Sequence, residues 1–387
     1  MQTCAEFDVA VLGAGPAGAA VAISLAKAKR RVVLLDYASA PDFVWGESLP
    51  PAANPLLCEL GVSQEMMGAD HLRSCGTRSA WGESVVHDNL FIRHPRGQGW
   101  HLNRTAFDAR LRSVAVQNGA RLLTYAGQLS FQRQRQGFWK LVVNGPQEWT
   151  IKARWIVDCS GRRSWLASRL GAKRIHFDRL VAIGGLFKRQ GLPVDEDSAT
   201  LVEAAPDGWW YTLRMPNDNR IVVYVTHPGR STMQLARTES GFLGLLSETN
   251  HVRRRLEECG YTLDNGPMVA VANSSRLEVL WGDGWTAAGD AGMAFDPVSS
   301  QGVFNALYSG VRAAQAVSAA LSGDLLALDR YVHRLDAVFA EYMINRRLVY
   351  SLERRWSNGH FWQTALSVGH NAGDGALGGS AKKTLFR

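Results

Sequence analysis

The residues best suited to chemistry stand in one short run, Gly13-Ala14-Gly15-Pro16-Ala17-Gly18, answered downstream by an acid at Asp36. Glycines at this spacing serve three different needs. Gly13 permits a tight turn, Gly15 lets backbone approach a pyrophosphate, and Gly18 lets a helix pack closely on a strand. The N-terminus of that helix turns unpaired N–H groups and a positive dipole end toward the phosphates. A carboxylate at Asp36 can accept both ribose hydroxyls, which disfavours a 2′-phosphate. The elements needed to position these residues are legible around them. An apolar run ending at Leu12 reads as a buried strand, an Ala-rich helix follows, and Arg31 to Leu35 reads as a second strand. A glycine-rich turn in some other α/β fold is the alternative. A second match to the glycine pattern at residues 373–378 has no strand before it and is set aside.

Bulk properties narrow the classes. At 387 residues, 46% hydrophobic and 20% charged, the chain can bury a large core and needs no extensive disorder. Its five cysteines (Cys4, Cys58, Cys75, Cys159, Cys259) are odd in number, scattered and form no CxxC, which fits reduced thiols in a cytoplasm and offers no zinc or disulfide framework; no metal site is expected. The longest uncharged stretch, Val9 to Ala26, contains Pro16 and three glycines, so it is the nucleotide turn and no transmembrane segment is expected. Glu6 and Asp8 with no basic residue before them argue against a secretory signal. The net charge of +8 is spread over short groups such as Arg253 to Arg255, Arg346/Arg347 and Arg354/Arg355, read as solvated faces. A surface for an acidic partner is the second reading, and no nucleic-acid module accompanies the charge.

Along the chain, helices are expected around Ala53 to Leu60 and over Asn103 to Asn118, with strands at Arg121 to Leu129, Phe138 to Val143 and Ile151 to Asp158. Aromatic-rich strands fall at Leu201 to Arg214 and Arg220 to Thr226. A strand runs from Val279 to Gly289-Asp290, a long helix starts near Gly302, and two more helices cover about 325–345 and 346–368. Two distant segments join the glycine run. One is an apolar strand ending in Asp158-Cys159-Ser160-Gly161. The other is Gly289-Asp290 followed by Asp296-Pro297-Val298-Ser299-Ser300-Gln301-Gly302. A carboxylate at Asp290 can meet a ribityl hydroxyl, and a helix starting at Gly302 can stabilise negative charge on the pyrimidine edge of a reduced flavin. NAD offers neither group, so the dinucleotide read here is FAD. An ordinary turn with an N-cap is the plainer reading of Gly289-Asp290.

Together with GESLPP at residues 46–51 and Asn103-Arg104 opening a helix with Asp108, these segments resemble flavoproteins of the p-hydroxybenzoate hydroxylase-type fold. The branch is similar to that of tryptophan halogenases and geranylgeranyl reductases, over roughly residues 7–365. The resemblance implies a mixed α/β fold. In it a Rossmann-like FAD-binding domain (1–75, 101–165, 270–325) is interleaved with an antiparallel-sheet substrate domain (76–100, 166–269). C-terminal helices (326–368) and a flexible tail (369–387) follow. It further implies that Gly13, Gly15, Ala17, Gly18, Asp36, Glu47, Ser48, Arg104, Gly289, Asp290, Pro297, Gly302 and Val303 line FAD, with Gln128 touching the adenine through its backbone. Glu47 equally fits a structural hydrogen bond, and Arg104 fits a surface residue at a helix start.

Hydroxylating members of this group use a flavin C4a-hydroperoxide with O2. They draw electrons from NAD(P)H or from a separate reductase. Halogenating members carry a lysine beyond the GE loop and a glutamate in the flavin turn. Here residues 51–100 contain no lysine, Ser299 stands at the glutamate position, and Gly208-Trp209-Trp210-Tyr211 is only a stretched form of the halogenase GWxWxIP signature. Glu353-Arg354-Arg355-Trp356 and Phe361-Trp362 are similar to a subgroup of maturases that oxygenate a tryptophan during tryptophylquinone biogenesis. That implies a partner, the precursor protein of a quinone-containing amine oxidase or dehydrogenase. A small aromatic substrate, an isoprenoid-reducing flavoprotein and a flavin-containing assembly factor remain alternatives. Pocket candidates are His101, Trp209, Tyr211, Arg214, Tyr224 and Ser299, with His227. An aromatic stripe at strand spacing fits core as well as pocket, and His101 fits a structural role as well as a proton donor.

Overall fold

The computed structural model describes residues 3–38, 47–144, 148–191, 194–324 and 326–368. Its centre is strand β1 (Thr3–Leu12), paired in parallel with β2 (Val32–Tyr37) on one side and with a long strand, residues Trp149–Asp158, on the other. Parallel strands are covered on both faces, which is why Val9, Ala10, Val11 and Leu12 form an unbroken buried run. Beyond β2 lies β3 (Arg121–Tyr125). The Trp149–Asp158 strand, β4, continues on its far side to the short strand Trp285–Ala287. Helix α1 (Pro16–Lys27) bridges β1 and β2, with Pro16 in its first turn, where a missing N–H costs nothing.

The second layer is a seven-stranded sheet. It holds β5 (Val181–Arg189), β6 (Ala199–Ala205), β7 (Gly208–Arg214), β8 (Arg220–Thr226) and β9 (Tyr261–Val271), plus Gly76–Ala80 and His87–Leu90. Gly76–Ala80 pairs in parallel with β6, so a segment inserted between β2 and β3 belongs to the sheet built from the middle of the chain. Helix α2 (Arg104–Gln117) starts at an Asn103 cap. Helix α3 (Gly302–Leu321) packs its small-residue face on α1: a Cβ on Gly310 would lie 2.5 Å from the Ala17 carbonyl. Helices α4 (Leu326–Leu352) and α5 (His360–Ser367) close the described chain over one face of the second sheet. The architecture is the expected mixed α/β one, with a Rossmann-like parallel core, antiparallel sheet and C-terminal helices. Among the described residues, no helix is long and apolar enough to cross a membrane.

Several element expectations are corrected. The single strand Arg121 to Leu129 is two, β3 and Leu129–Arg133, because the second pairs with Trp139–Val143 and not with β2. The strand from Val279 breaks into Trp281–Gly282 and Trp285–Ala287 around Gly284, whose φ of +71° turns the chain. No helix boundary falls at 345/346, since α4 runs unbroken through both residues. Strands β5 and β9 and the helices Ser231–Ala236, Glu239–Ser247 and His251–Glu258 went unread. The tail at 369–387, the glycine pattern at 373–378 and Gly46 lie outside the described residues.

The two glycines that flank Pro16 and Ala17 separate stability from open space. A Cβ on Gly18 would sit 1.8 Å from the Gly13 carbonyl oxygen, whereas one on Gly15 meets nothing within 4 Å. Gly18→Ala is expected to destabilise the cofactor-free fold by about 1–3 kcal/mol through overpacking. Gly15→Ala should leave its thermal unfolding midpoint unchanged; paired melting curves of the two variants check both.

Candidate flavin site

Three turns meet at the C-terminal ends of the parallel strands. Gly13 adopts φ +95°, its N–H donates to the Leu35 carbonyl at 2.8 Å, and a Cβ there would fall 2.5 Å from the Cys159 carbonyl oxygen. Cys159 N–H donates back to Leu12 at 2.8 Å, which joins the first turn to the second. The third turn is joined just as tightly. A Cβ on Gly289 would lie 2.6 Å from the Ala17 methyl, and Ala288 N–H donates to the Asp158 carbonyl at 2.9 Å. Asp158 is fully buried and spends its carboxylate on backbone N–H groups of Ser160, Leu166 and Ala167, so its role is to shape the second turn. Arg162 from that turn stands 3.4 Å from the Asp290 carboxylate.

Two helices begin here without a side-chain cap. Gly15 precedes α1, and Gln301 precedes α3. Their first N–H groups are thus left for another acceptor, as a phosphate or an electron-rich ring edge would be. Nothing lies within 4 Å of a Cβ at Gly302, and Val303 is buried just behind it. Pro297 opens the turn before α3, and Ser300 ends it at φ +51°. These glycines form a cradle that side chains would fill, so the residues present fit a flavin dinucleotide.

The rim residues divide. Asp36 sits at the end of β2 with Arg112 of α2 at 3.8 Å. Burial raises its pKa, while Arg112 and the Ala14 N–H pull it down. Glu47 is buried, its carbonyl accepts from Leu102 N–H at 2.6 Å, and the adjoining Ser48 pairs with His101 across a short antiparallel ladder. The Arg104 guanidinium holds Asp108 at 3.2 and 3.0 Å from the first turn of α2. The backbone carbonyl of Gln128 already accepts from Asn144 N–H at 2.8 Å, which leaves its N–H for any adenine contact.

The pocket candidates do not share one face. Trp209 and Tyr211 alternate onto the side of β7 that packs against α4, α5 and Val298 of the third turn. Trp209 Nε1–H donates to the Tyr350 hydroxyl at 3.0 Å. Burial, and then the nearby Glu47, push the Tyr211 hydroxyl well above its usual pKa. Tyr224 is a correction. It stacks on Trp210 at 4.7 Å in the cluster under Phe242, on the opposite face, and donates to the Asp207 carbonyl. Arg214 also points away, toward Asp195 and Asp218. Ser299 donates its hydroxyl to the Asp296 carbonyl at 2.9 Å. His227 is buried at the end of β8, edge-on to Phe361. Both ring nitrogens of His101 are engaged, with the Arg214 carbonyl at 2.9 Å and the Thr200 hydroxyl at 3.2 Å.

One buried charged group that sequence reading missed is Arg346. Taken as part of a solvated face, it is 2% exposed and sits 3.0 Å from Asp296 and 3.5 Å from Asp178. The available signal was its spacing: Tyr342, Arg346 and Tyr350 recur every fourth residue on one face of α4.

Known proteins share this fold. The family model described as FAD binding domain matches residues 6–343. The putative FAD-dependent oxidoreductase LodB of Marinomonas mediterranea is 28% identical over 366 residues, covering 92% of this chain and 96% of its own. Among solved structures, the myxobacterial chondrochloren halogenase CndH superposes with a TM-score of 0.83 at 24% identity, over 95% of this chain and 87% of that one. The peptidyl tryptophan dihydroxylase QhpG, essential for tryptophylquinone cofactor biogenesis, gives a TM-score of 0.69 at 20% identity, over 93% of this chain and 79% of its own.

Burial drives the His101 pKa down to about 3 from an ordinary 6.5, against the opposing pull of the Arg214 carbonyl. The unfolded chain therefore binds a proton at His101 across this interval and the folded chain does not. Folding stability should fall on acidification from about pH 6.5 toward 3, by up to about 1.4 kcal/mol per pH unit from this residue alone. Urea unfolding at stepped pH should show a shallower acid limb for His101→Gln than for the unaltered chain.

Proposed function

As this chain belongs to the FAD-binding-domain family and is an FAD-dependent oxidoreductase, we propose that it is a monooxygenase acting on an aromatic ring. The ring we assign is a tryptophan side chain of a precursor protein, oxidised during tryptophylquinone maturation in the cytoplasm. Two observations carry the choice of oxygenation over halogenation. Residues 51–100 offer no lysine to carry an activated halogen, and Ser299, at the position of the halogenase glutamate, has its hydroxyl committed to the Asp296 carbonyl. The fold shared with QhpG, a protein that acts on peptidyl tryptophan, supports the substrate class.

In this reading the N–H groups after Gly13 and Gly15 hold the pyrophosphate, with Ala17 and Gly18 keeping the approach narrow. Asp36 accepts the ribose hydroxyls, and Gln128 meets the adenine through its N–H. Glu47, Ser48 and Arg104 form the rim. Asp290, held by Arg162, accepts a ribityl hydroxyl, and Gly289 lets the chain pass close to Ala17. Pro297, Gly302 and Val303 present the start of α3 to the pyrimidine edge, where a dipole stabilises negative charge. Bound FAD supplies the activation of O2, with electrons from NAD(P)H or a separate reductase. The protein's own part is to hold the ring and keep water out, and Trp209 and Tyr211 line the face of β7 turned to that turn.

The test is co-expression with the precursor of a tryptophylquinone-containing amine oxidase, followed by peptide mass spectrometry. Added oxygen on a tryptophan is expected only when this chain is present. An unmodified precursor, with FAD-loaded and reduced protein consuming O2 on a small aromatic compound, would move the substrate to the small-molecule class.

A further inference from the structure

Three side chains on one face of α4 converge on a single residue of the third turn. The Asp296 carboxylate accepts from Arg346 Nε–H at 3.0 Å and from the Tyr350 hydroxyl at 2.9 Å through one oxygen, and from Val298 N–H at 2.9 Å through the other. Asp296 N–H donates to the Tyr342 hydroxyl at 2.8 Å. Tyr342, Arg346, Tyr350 and Asp296 are all buried. Arg346 reaches two further elements, donating to the Ala365 carbonyl of α5 at 3.0 Å and lying 3.5 Å from Asp178. Tyr350 extends the chain of contacts to Trp209 on β7, and Tyr342 extends it to the Ser274 hydroxyl at 2.6 Å.

Within the turn, the Ser299 hydroxyl donates to the Asp296 carbonyl at 2.9 Å and accepts from Gln301 N–H at 3.3 Å. The turn's internal backbone bonds are Ser299 N–H to Asp296 and Ser300 N–H to Pro297, and it ends with Ser300 in a left-handed conformation that a non-glycine residue adopts only under constraint. A buried guanidinium between two carboxylates is a poor source of net stability and a good device for fixing one geometry.

We infer that Tyr342, Arg346 and Tyr350 are positioning residues that set the 296–302 turn and so aim the N-terminus of α3 at the flavin. The inference rests on the reading of that turn as flavin-facing. Arg346 has an electrostatic effect as well: it offsets Asp296, whose negative charge would otherwise oppose the dipole of α3 at a reduced, anionic ring.

The test measures the Kd for FAD by fluorescence quenching, the midpoint potential of the loaded protein, and the melting midpoint of the cofactor-free chain. Arg346→Met is expected to weaken FAD binding about tenfold or more and to shift the potential negative. Arg346→Lys should restore most of the potential, since the charge returns, while affinity stays reduced because one ammonium cannot reach both Asp296 and Ala365. Should Arg346→Met fail to fold, Tyr350→Phe and Tyr342→Phe decide the matter. Each removes one hydroxyl from Asp296, and each is expected to weaken binding about fivefold and to move the potential. Unaltered chain that binds FAD, with both tyrosine variants keeping its Kd and potential, overturns the inference alone. Unaltered chain that takes up no FAD overturns the reading beneath it.

Discussion

The contact between Ala17 and Gly289 is the constraint on which the rest depends. A methyl on one turn fills the space that a side chain on the other would need, and Gly13, Gly18 and Gly310 are held to the same closeness by carbonyl oxygens 1.8–2.5 Å from where their Cβ atoms would stand. Because these positions carry no side chain, three segments spread over nearly three hundred residues of chain can end at one place. Helices α1 and α3, both without a side-chain cap, then start from turns that this closeness ties to one another. A parallel sheet with helices on both faces collects its loops at the carboxyl ends of its strands, and here the small residues let those loops touch.

Electrostatics follows from that closeness. Two uncapped helix N-termini bring partial positive charge to these turns, while Asp36 and Asp290 bring carboxylates, each with an arginine within 4 Å. Acids there suit hydroxyl groups, and helix ends suit phosphate and a ring that gains charge on reduction. Deeper in, the protein spends most of its buried charge on its own framework: Asp158 on backbone N–H groups, Arg220 on Asp195, and Arg346 on Asp296 and Asp178.

Much of this was legible in the residues. The unbroken apolar run of β1, the turn at Gly13 and the start of α3 at Gly302 are dictated locally, by glycine, proline and apolar periodicity. What escaped needed partners distant in sequence. Arg346 looks like one of several surface arginine pairs until Asp296, fifty positions away, is folded onto it. Strand alternation shows that Trp209 and Trp210 face opposite ways, yet only packing tells which side meets α4 and which meets the helices over 231–258. Tyr224 was misjudged for that reason. Strand β5 was missed because Gly184 and Gly185 interrupt its apolar pattern where the register with β9 shifts.

The pairing of β1 has a consequence for how this chain is made. The strand occupies residues 3–12, but one of its two neighbours is not synthesised until residue 158, and the strand beyond that until residue 287. A nascent chain must therefore carry an aliphatic segment with one edge unsatisfied while well over a hundred further residues emerge. Such long-separation parallel pairings raise the contact order and slow the search for the native topology. Truncations that stop before residue 149 leave one edge of the central strand without its partner, open to association with its own copies.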